Sequence, residues 1–207
     1  YEALSRRGLQ LRLKRLLDVV GATVLFVLLG WLFVILALLI KLDSPGPVFF
    51  RQRRVTQFGR EFRIVKFRTM TYRPAALGDQ ITRGDDPRIT RVGAVLRRYR
   101  LDEISQLIDI LRGTMSFVGT RPEVPDYVRQ YTPQMRATLL LPAGVTSTAS
   151  IEFKDEAQIL AAAPPGQDAY VTQVLPAKMR LNLRDVRDFS IGRDLRIAFR
   201  TILAVAT

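Results

Sequence analysis

The sequence contains no cysteine and no histidine, and it is short of acidic residues. Without cysteine, the chain has no disulfide, no thiolate nucleophile and no cysteine-ligated metal. Without histidine, the commonest general base and the commonest zinc ligand are both excluded. Any chemistry must therefore use carboxylates, lysine, arginine, tyrosine or hydroxyl groups.

The charge balance is strongly basic. The 207 residues include 32 Lys and Arg against 19 Asp and Glu, which gives a formal net charge of +13. Such a surface attracts anionic lipid headgroups and phosphate-bearing ligands, with nucleic acid as a third class of partner. The length allows one domain of ordinary size in addition to a membrane segment.

The most informative feature is an almost purely apolar run from Leu16 to Ile40, which is long enough for a bilayer-crossing helix of about 17–25 residues. Cations flank both of its ends, namely Arg12, Lys14 and Arg15 on one side and Lys41, Arg51, Arg53 and Arg54 on the other. A spanning helix shows this bias at one end only, because Lys and Arg stay in the cytoplasm. We therefore predict a re-entrant helix that bends near Gly30–Trp31, with a plain spanning helix as the alternative. A buried soluble helix is less favoured, since core helices rarely reach this length without charge.

The residues after a proline-rich break at 43–47 predict a β-hairpin. Its strands are Val48–Val55 and Glu61–Met70, joined by a turn at 57–59. Cations are dense here, namely Arg51, Arg53, Arg54, Arg60, Arg63, Lys66 and Arg68, against the single acid Glu61. Most of them are interpreted as a solvated basic face beside an anionic membrane.

Apolar residues at helical spacing predict two further helices, over 92–99 and 104–111. Asp102 takes the N-cap position of the second helix and Gly113 its C-terminal stop. Loops, turns and irregular segments are predicted at 71–88, 114–125, 142–146 and 161–166. A last apolar stripe, made of Leu195, Ala198, Phe199, Ile202 and Leu203, is typical of an interfacial helix or of ordinary core packing. The fold class is therefore α/β, in the α+β sense, with a mostly helical domain and a small hairpin.

The adjacent acids Asp102 and Glu103 are the leading candidates for chemistry. They lie between a group of arginines, namely Arg97, Arg98 and Arg100, and the start of an amphipathic helix. Both the cations and the helix dipole favour an ionised carboxylate. An ionised aspartate can attack phosphorus or hold Mg²⁺ beside substrate phosphates. On spacing alone, a helix cap with a neighbouring solvated glutamate is the simpler interpretation.

Four cations, Lys66, Arg68, Arg97 and Arg121, are candidate ligands of a diphosphate. Arginine matches phosphate geometry bidentately, while lysine supplies a point charge. The glycines at 59, 93 and 119 form neither a phosphate-loop nor a dinucleotide-binding pattern, so they are interpreted as turn residues. A solvated basic face is the alternative for the cations.

Short motifs follow one another at residues 14–18, 43–50, 66–70, 101–103, 113–119 and 121–122. In this order they resemble the bacterial sugar transferases that are monotopic polyprenyl-phosphate phosphoglycosyl transferases. The resemblance covers most of the chain up to about Gly144 and returns near 189–195. The sequence departs from the family pattern at Gly30–Trp31, where Ser-Pro is common, and at Ser105 and Thr120, where proline is common.

The resemblance implies a re-entrant membrane helix within residues 1–42 and a cytoplasmic catalytic domain over residues 43–207. It implies transfer of a phospho-sugar from a UDP-sugar to polyprenyl (undecaprenyl) phosphate, with release of UMP. The implied location is the cytoplasmic face of the bacterial inner membrane, at the first membrane step of glycoconjugate assembly.

The resemblance also implies Mg²⁺ as the cofactor and an Asp-Glu dyad matching Asp102 and Glu103. Asp102 would be the nucleophile that forms a covalent phospho-sugar intermediate, and also a metal ligand. The phosphate-contacting residues of the family match Lys66, Arg97 and Arg121, and we add Arg68 and Pro122 of the same motifs to the predicted site.

Two alternatives stay open. In the first, transfer is direct in a ternary complex and Asp102 serves only as a magnesium ligand. In the second, the chain is a non-enzymatic membrane scaffold or a nucleic-acid-binding module, which the basic charge alone supports. The predicted partners are a UDP-sugar, polyprenyl phosphate and anionic lipids, without nucleic acid, and a homodimer is an option.

Overall fold

In the computed structural model, Leu4, residues 7–72, residues 86–154, Glu156 and residues 169–206 are described. The predicted loop at 161–166 and most of the loop at 71–88 lie outside these residues. The described part is mostly helical, with two separate two-stranded sheets, which confirms the predicted fold class.

The helices are α1 (Gly8–Asp43), α2 (Arg91–Arg98), α3 (Leu107–Arg112), α4 (Pro125–Arg129), α5 (Thr148–Glu152), α6 (Leu175–Arg187) and α7 (Ile191–Ala206). The strands are β1 (Phe49–Val55), β2 (Glu61–Phe67), β3 (Met115–Val118) and β4 (Ala143–Thr146). Within the described ranges there are also three 3₁₀ segments, at Gln57–Gly59, Leu101–Gln106 and Met135–Leu140, and a π-helical turn at Tyr170–Val174 that leads into α6.

Helix α1 is the one described helix whose length and hydropathy suit a membrane span. It is helical without a break from Gly8 to Asp43, so a bend at Gly30–Trp31 would have to keep the helical hydrogen bonds, and the bend itself stays a prediction. Glycine keeps the N–H that proline lacks and avoids its steric clash, so the hydrogen-bond ladder can continue through Gly30. Much of the helix surface is apolar and exposed, with Val27 at 73% and Trp31 at 64%.

Both ends of α1 nevertheless pack against the rest of the chain. Its buried residues are Lys14, Asp18, Ala22, Leu36 and Ile40. Between these two groups, no residue from Thr23 to Leu28 is buried. The helix therefore contacts the domain near each end and presents its middle turns outward.

The predicted hairpin is present. Strands β1 and β2 pair antiparallel, from Phe49 opposite Phe67 to Val55 opposite Glu61. The second strand ends at Phe67 rather than at Met70, which instead forms an isolated bridge with Ile89.

Strands β3 and β4 form a parallel pair, with Met115 opposite Ala143 and Val118 opposite Thr146. The expectation of irregular structure at 114–125 and a turn at 142–146 is therefore wrong for these segments. Each strand has only four residues, too few for a period of two to emerge in the sequence.

One core cluster joins α1 to both sheets. Its buried residues are Ala22, Ile64, Leu107, Ile110, Met115 and Ala143. A second cluster packs Leu36 and Ile40 of α1 against Phe67 and Leu96. This packing fixes the 3₁₀ segment Leu101–Gln106 between β2 and α3.

Candidate active site

The acidic pair lies in the first turn of the 3₁₀ segment Leu101–Gln106 rather than at a helix cap. The chain enters this segment through Arg100, whose φ of +55° is left-handed, and no side chain caps the segment. The prediction that Asp102 is an N-cap is therefore wrong. Buried Ser105 ties the segment to β2 by donating a hydrogen bond to the Val65 carbonyl over 3.0 Å.

Glu103 is held by two cations. Lys66 Nζ lies 2.8 Å from its Oε1, and the Arg121 guanidinium bonds both carboxylate oxygens, with 3.1 Å from Nη1 to Oε2. Burial alone would raise the pKa of Glu103, but Arg121 and Lys66 outweigh it and hold that pKa well below its usual range. Glu103 is therefore an ionised counter-ion that fixes the positions of two predicted phosphate ligands.

The Asp102 carboxylate has no ion-pair partner within 4.0 Å among the described residues, although Lys66 and Arg97 lie within electrostatic range. Burial and the neighbouring Glu103 charge raise the pKa of Asp102, while Lys66 and Arg97 act in the opposite direction. The sequence correctly predicts that nearby cations lower this pKa, but burial and Glu103 outweigh them. The expectation that the surroundings as a whole favour the ionised form is therefore wrong. The result is a carboxylate that is more basic than an ordinary aspartate and that is not already engaged by a cation.

Arg97 reaches the site from α2. Its Nε donates to Thr69 Oγ1 over 3.0 Å, and burial lowers its pKa while Asp102 raises it. Helix α2 approaches the chain closely at Gly93, where an added Cβ would lie 2.0 Å from the Thr69 carbonyl oxygen. Gly93 is thus a helix-packing residue rather than the predicted turn residue, and its small size lets Arg97 stand beside Asp102.

Arg121 follows β3 and bonds the Glu103 carboxylate. The two residues between β3 and Arg121 are hydrogen-bonded to β4, since the Gly119 N–H donates to the Thr146 carbonyl oxygen and the Gly144 N–H donates to the Thr120 carbonyl oxygen, each over 2.9 Å. The strong field of Glu103 raises the pKa of Arg121, so its charge is permanent.

Arg68 does not belong to this cluster, in contrast to its prediction as a substrate ligand. It is 4% exposed, and its guanidinium donates to the carbonyl oxygens of Ile40, Ser44 and Pro45. These carbonyls lie at the carboxyl end of α1 and just beyond it, and the Ile40 carbonyl also accepts from the Ser44 N–H. Arg68 therefore holds the end of α1 to the turn that follows it. Pro122, the other added residue, contacts the site through its backbone: its carbonyl oxygen accepts a hydrogen bond from Arg54 Nη1 over 3.0 Å.

Two site neighbours were not assigned from the sequence, Arg54 and Glu123. Arg54 lies 3.9 Å from the Glu123 carboxylate and within electrostatic range of Arg121 and Glu103. The sequence could have predicted Arg54 as a site residue, because side chains alternate between the two faces of a strand and Arg54 lies on the same face of the hairpin as Lys66.

Glu123 is 8% exposed and accepts a hydrogen bond from the Tyr170 hydroxyl, with Lys178 at 3.9 Å. Burial and Glu123 raise the pKa of Tyr170, so this hydroxyl remains a donor. Tyr170 lies far along the chain, and no local pattern in the sequence predicts this contact.

The acidic side chains of the site can be compared with the ligands that the predicted Mg²⁺ would need. Among the described residues, no group of three or more acidic side chains could hold a metal ion. Magnesium usually takes one or two carboxylates together with substrate phosphates. The unengaged Asp102 carboxylate fits this requirement as one ligand, whereas Glu103 is already occupied by Lys66 and Arg121.

The sequence model of the bacterial sugar transferases matches residues 9–207. The chain is 36% identical over 208 residues to a UDP-glucose:undecaprenyl-phosphate glucose-1-phosphate transferase of Caulobacter vibrioides, covering 99% of the chain and 73% of that relative. It is 34% identical over 198 residues to the UDP-N-acetylgalactosamine-undecaprenyl-phosphate N-acetylgalactosaminephosphotransferase of Aeromonas hydrophila, covering 94% of the chain and 44% of that relative. An Escherichia coli UDP-glucose:undecaprenyl-phosphate glucose-1-phosphate transferase is 34% identical over 200 residues, 94% of the chain and 40% of the relative. The chain thus spans less than half the length of the last two relatives.

Proposed function

Because the chain belongs to the bacterial sugar transferase family, we propose that it transfers a sugar 1-phosphate from a UDP-sugar to undecaprenyl phosphate, releasing UMP. The relatives carry names that describe this kind of transfer. The observation that carries the proposal is the free Asp102 carboxylate beside Lys66, Arg97 and Arg121, two of which Glu103 holds in place. We assign the reaction to glycoconjugate assembly.

In the first step, a carboxylate oxygen of Asp102 forms a bond to the phosphorus that carries the sugar. The bond from that phosphorus to the bridging oxygen breaks, and UMP leaves with the electron pair. Lys66, Arg97 and Arg121 neutralise the diphosphate as charge develops on the leaving group. Mg²⁺, held by Asp102 and the phosphates, would supply further charge withdrawal. No proton has to move, which is consistent with a site that has no histidine.

In the second step, a phosphate oxygen of undecaprenyl phosphate bonds to the same phosphorus. The bond between phosphorus and Asp102 breaks, and the carboxylate is regenerated. Direct transfer without an intermediate is the alternative chemistry. The covalent route is supported by the position of Asp102, whose carboxylate has no ion-pair partner within 4.0 Å among the described residues, so its oxygens are available for attack.

The reaction takes place at the cytoplasmic face of the inner membrane, with both ends of α1 on that side. Lys14 near one end of α1 pairs with Asp194, and Arg68 binds carbonyls at the other end. A spanning helix would have to break one of these buried contacts. The exposed apolar residues of α7, with Phe199 at 61% and Ile202 at 67%, provide a second surface for lipid.

A panel of UDP-sugars tests the proposed activity. The purified chain is mixed with undecaprenyl phosphate and Mg²⁺, and UMP release is measured for each sugar nucleotide. We expect release with at least one UDP-sugar and none without the lipid beyond a single turnover. A folded protein that releases no UMP from any of them, but binds nucleic acid in a salt-sensitive manner, would support the scaffold alternative.

A further inference from the structure

Three charged side chains in the first turns of α1 point into the domain instead of toward lipid. Lys14 and Asp18 are each 6% exposed, and Arg15 is half-buried. Charge in an apolar membrane helix is costly and needs a partner. Their partners therefore show what these residues do.

Lys14 and Asp18 both bind strand β3. Lys14 Nζ donates to the Val118 carbonyl oxygen over 2.9 Å and pairs with Asp194 of α7. The Phe117 N–H donates to Asp18 Oδ1 over 3.1 Å. Close by, the Phe117 ring lies 3.1 Å from the position of a Cβ on Gly21. One face of α1 thus contacts consecutive residues of β3 through charge, hydrogen bonding and packing.

Arg15 binds the end of α3. It donates to the carbonyl oxygens of Ile110 and Leu111, with 2.9 Å for the latter. Both carbonyls belong to the last helical turn, and the Ile110 carbonyl also accepts from the N–H of Gly113, which closes the helix in a left-handed conformation. Helix α3 continues directly from the 3₁₀ segment that carries Asp102.

The contacts with β3 lie three residues from Arg121. Only Gly119 and Thr120 separate Val118 from that arginine, and both are hydrogen-bonded to β4. Because no flexible loop separates β3 from Arg121, a shift of β3 would also move Arg121. We infer that Lys14 and Asp18 are positioning residues, through which the membrane helix holds Arg121 against Glu103. This inference rests on the proposed function.

The test compares two substitutions at Asp18 in the full chain reconstituted in lipid nanodiscs. Asp18→Leu removes the acceptor for Phe117 N–H, whereas Asp18→Asn keeps an acceptor of the same size. With no acceptor for this N–H, β3 should leave its position beside α1. We therefore expect kcat/KM for the UDP-sugar to fall about tenfold in Asp18→Leu. It should recover to within about threefold of wild type in Asp18→Asn. Arg12→Gln, an exposed charge in the same turns, is the matched control and should retain wild-type kcat/KM.

A coupling measurement separates positioning from general destabilisation. In an Arg121→Ala background, Asp18→Leu should reduce kcat/KM far less than in wild type, because the residue through which it acts is gone. An equal reduction in both backgrounds, or full activity of Asp18→Leu alone, would overturn the inference. Lys14→Met provides a second variant with the same expectation should Asp18→Leu fail to fold.

Hydrogen exchange gives a readout that does not depend on turnover. Amides in residues 115–123 should exchange faster in Asp18→Leu than in wild type, and Asp18→Asn should resemble wild type. Unchanged exchange in Asp18→Leu would reject the positioning role. Failure of the proposed function would look different, since the wild-type chain itself would then release no UMP.

Discussion

Asp102 and Glu103 are adjacent acids with opposite surroundings. Glu103 is neutralised by Lys66 and Arg121, and its pKa lies well below the usual range. Asp102 is left without such a partner among the described residues, and burial raises its pKa. The sequence alone left the roles of the two acids open. From their surroundings we propose that Glu103 holds the two cations and that Asp102 carries the chemistry.

The pH dependence of turnover should reflect the raised pKa of Asp102. The attacking form is ionised, so activity is lost as pH falls through that pKa, which lies above the ordinary aspartate value of about 3.9. Lys66→Met removes a charge that lowers this pKa, so the acid limb of the kcat profile should move to higher pH. Arg53→Met, on the exposed side of the hairpin, should leave the limb in place. A shift to lower pH in Lys66→Met would contradict this assignment.

The cations of the site should differ from those of the surface. A charge-assisted hydrogen bond contributes about 1.5–3 kcal/mol, so Arg97→Ala and Arg121→Ala should each lower kcat/KM by about 10- to 100-fold. Arg12→Ala should instead weaken membrane association and leave the turnover of the bound enzyme unchanged. Steady-state kinetics and vesicle flotation measure the two effects. Equal behaviour of the three variants would show that the distinction is wrong.

At the scale of elements, the sequence predicts what periodicity and turn chemistry encode. The hairpin, α2 and the stop at Gly113 are confirmed, because alternation, helical spacing and a left-handed glycine are local signals. The sequence did not predict the pair β3–β4, because each strand is short and the two strands are far apart in the sequence. The close approach of Gly119 and Gly144 sets the position of Arg121. It depends on the same strand pairing, so no local pattern in the sequence predicts it.

Gly144→Ala tests this close approach. An added Cβ would lie 2.1 Å from Gly119 N, so the two strands would have to separate. Overpacking of this kind costs about 1–3 kcal/mol, and the thermal unfolding midpoint of the purified chain should fall. Gly8→Ala, where no atom lies within 4 Å of the added Cβ, is the matched control and should leave the midpoint unchanged. An unchanged midpoint in Gly144→Ala would mean that β3 and β4 are not packed as described.

At the scale of the whole molecule, helix α1 and the described residues that follow it form one packed unit. Helix α1 shares a core with both sheets, through Ala22 at one end and Ile40 at the other. The charges that flank the apolar run predicted that both ends of α1 lie on the same side of the membrane. Some of these charges bind the rest of the chain and do not face lipid headgroups. Lys14 and Arg15 bind the domain, whereas Arg12 is exposed and free to face headgroups.

Labelling of this cysteine-free chain tests the topology. Gln10→Cys and Lys41→Cys place single thiols at exposed positions near the two ends of α1. In intact cells, both should resist a membrane-impermeant thiol reagent, and both should react after the membrane is opened. Labelling of Gln10→Cys alone in intact cells would establish a spanning helix and refute the re-entrant arrangement.

The central claim is that Asp102 forms a covalent intermediate. The most direct measurement incubates the enzyme with its UDP-sugar and no lipid acceptor, stops the reaction, and determines the mass of the peptide that contains Asp102. We predict one phospho-sugar adduct on Asp102, formed with a stoichiometric release of UMP and lost on adding undecaprenyl phosphate. Asp102→Asn should form no adduct and show almost no turnover, with an unchanged fold. An active Asp102→Asn enzyme, or a wild-type enzyme that releases UMP only with acceptor and never carries the adduct, would contradict it.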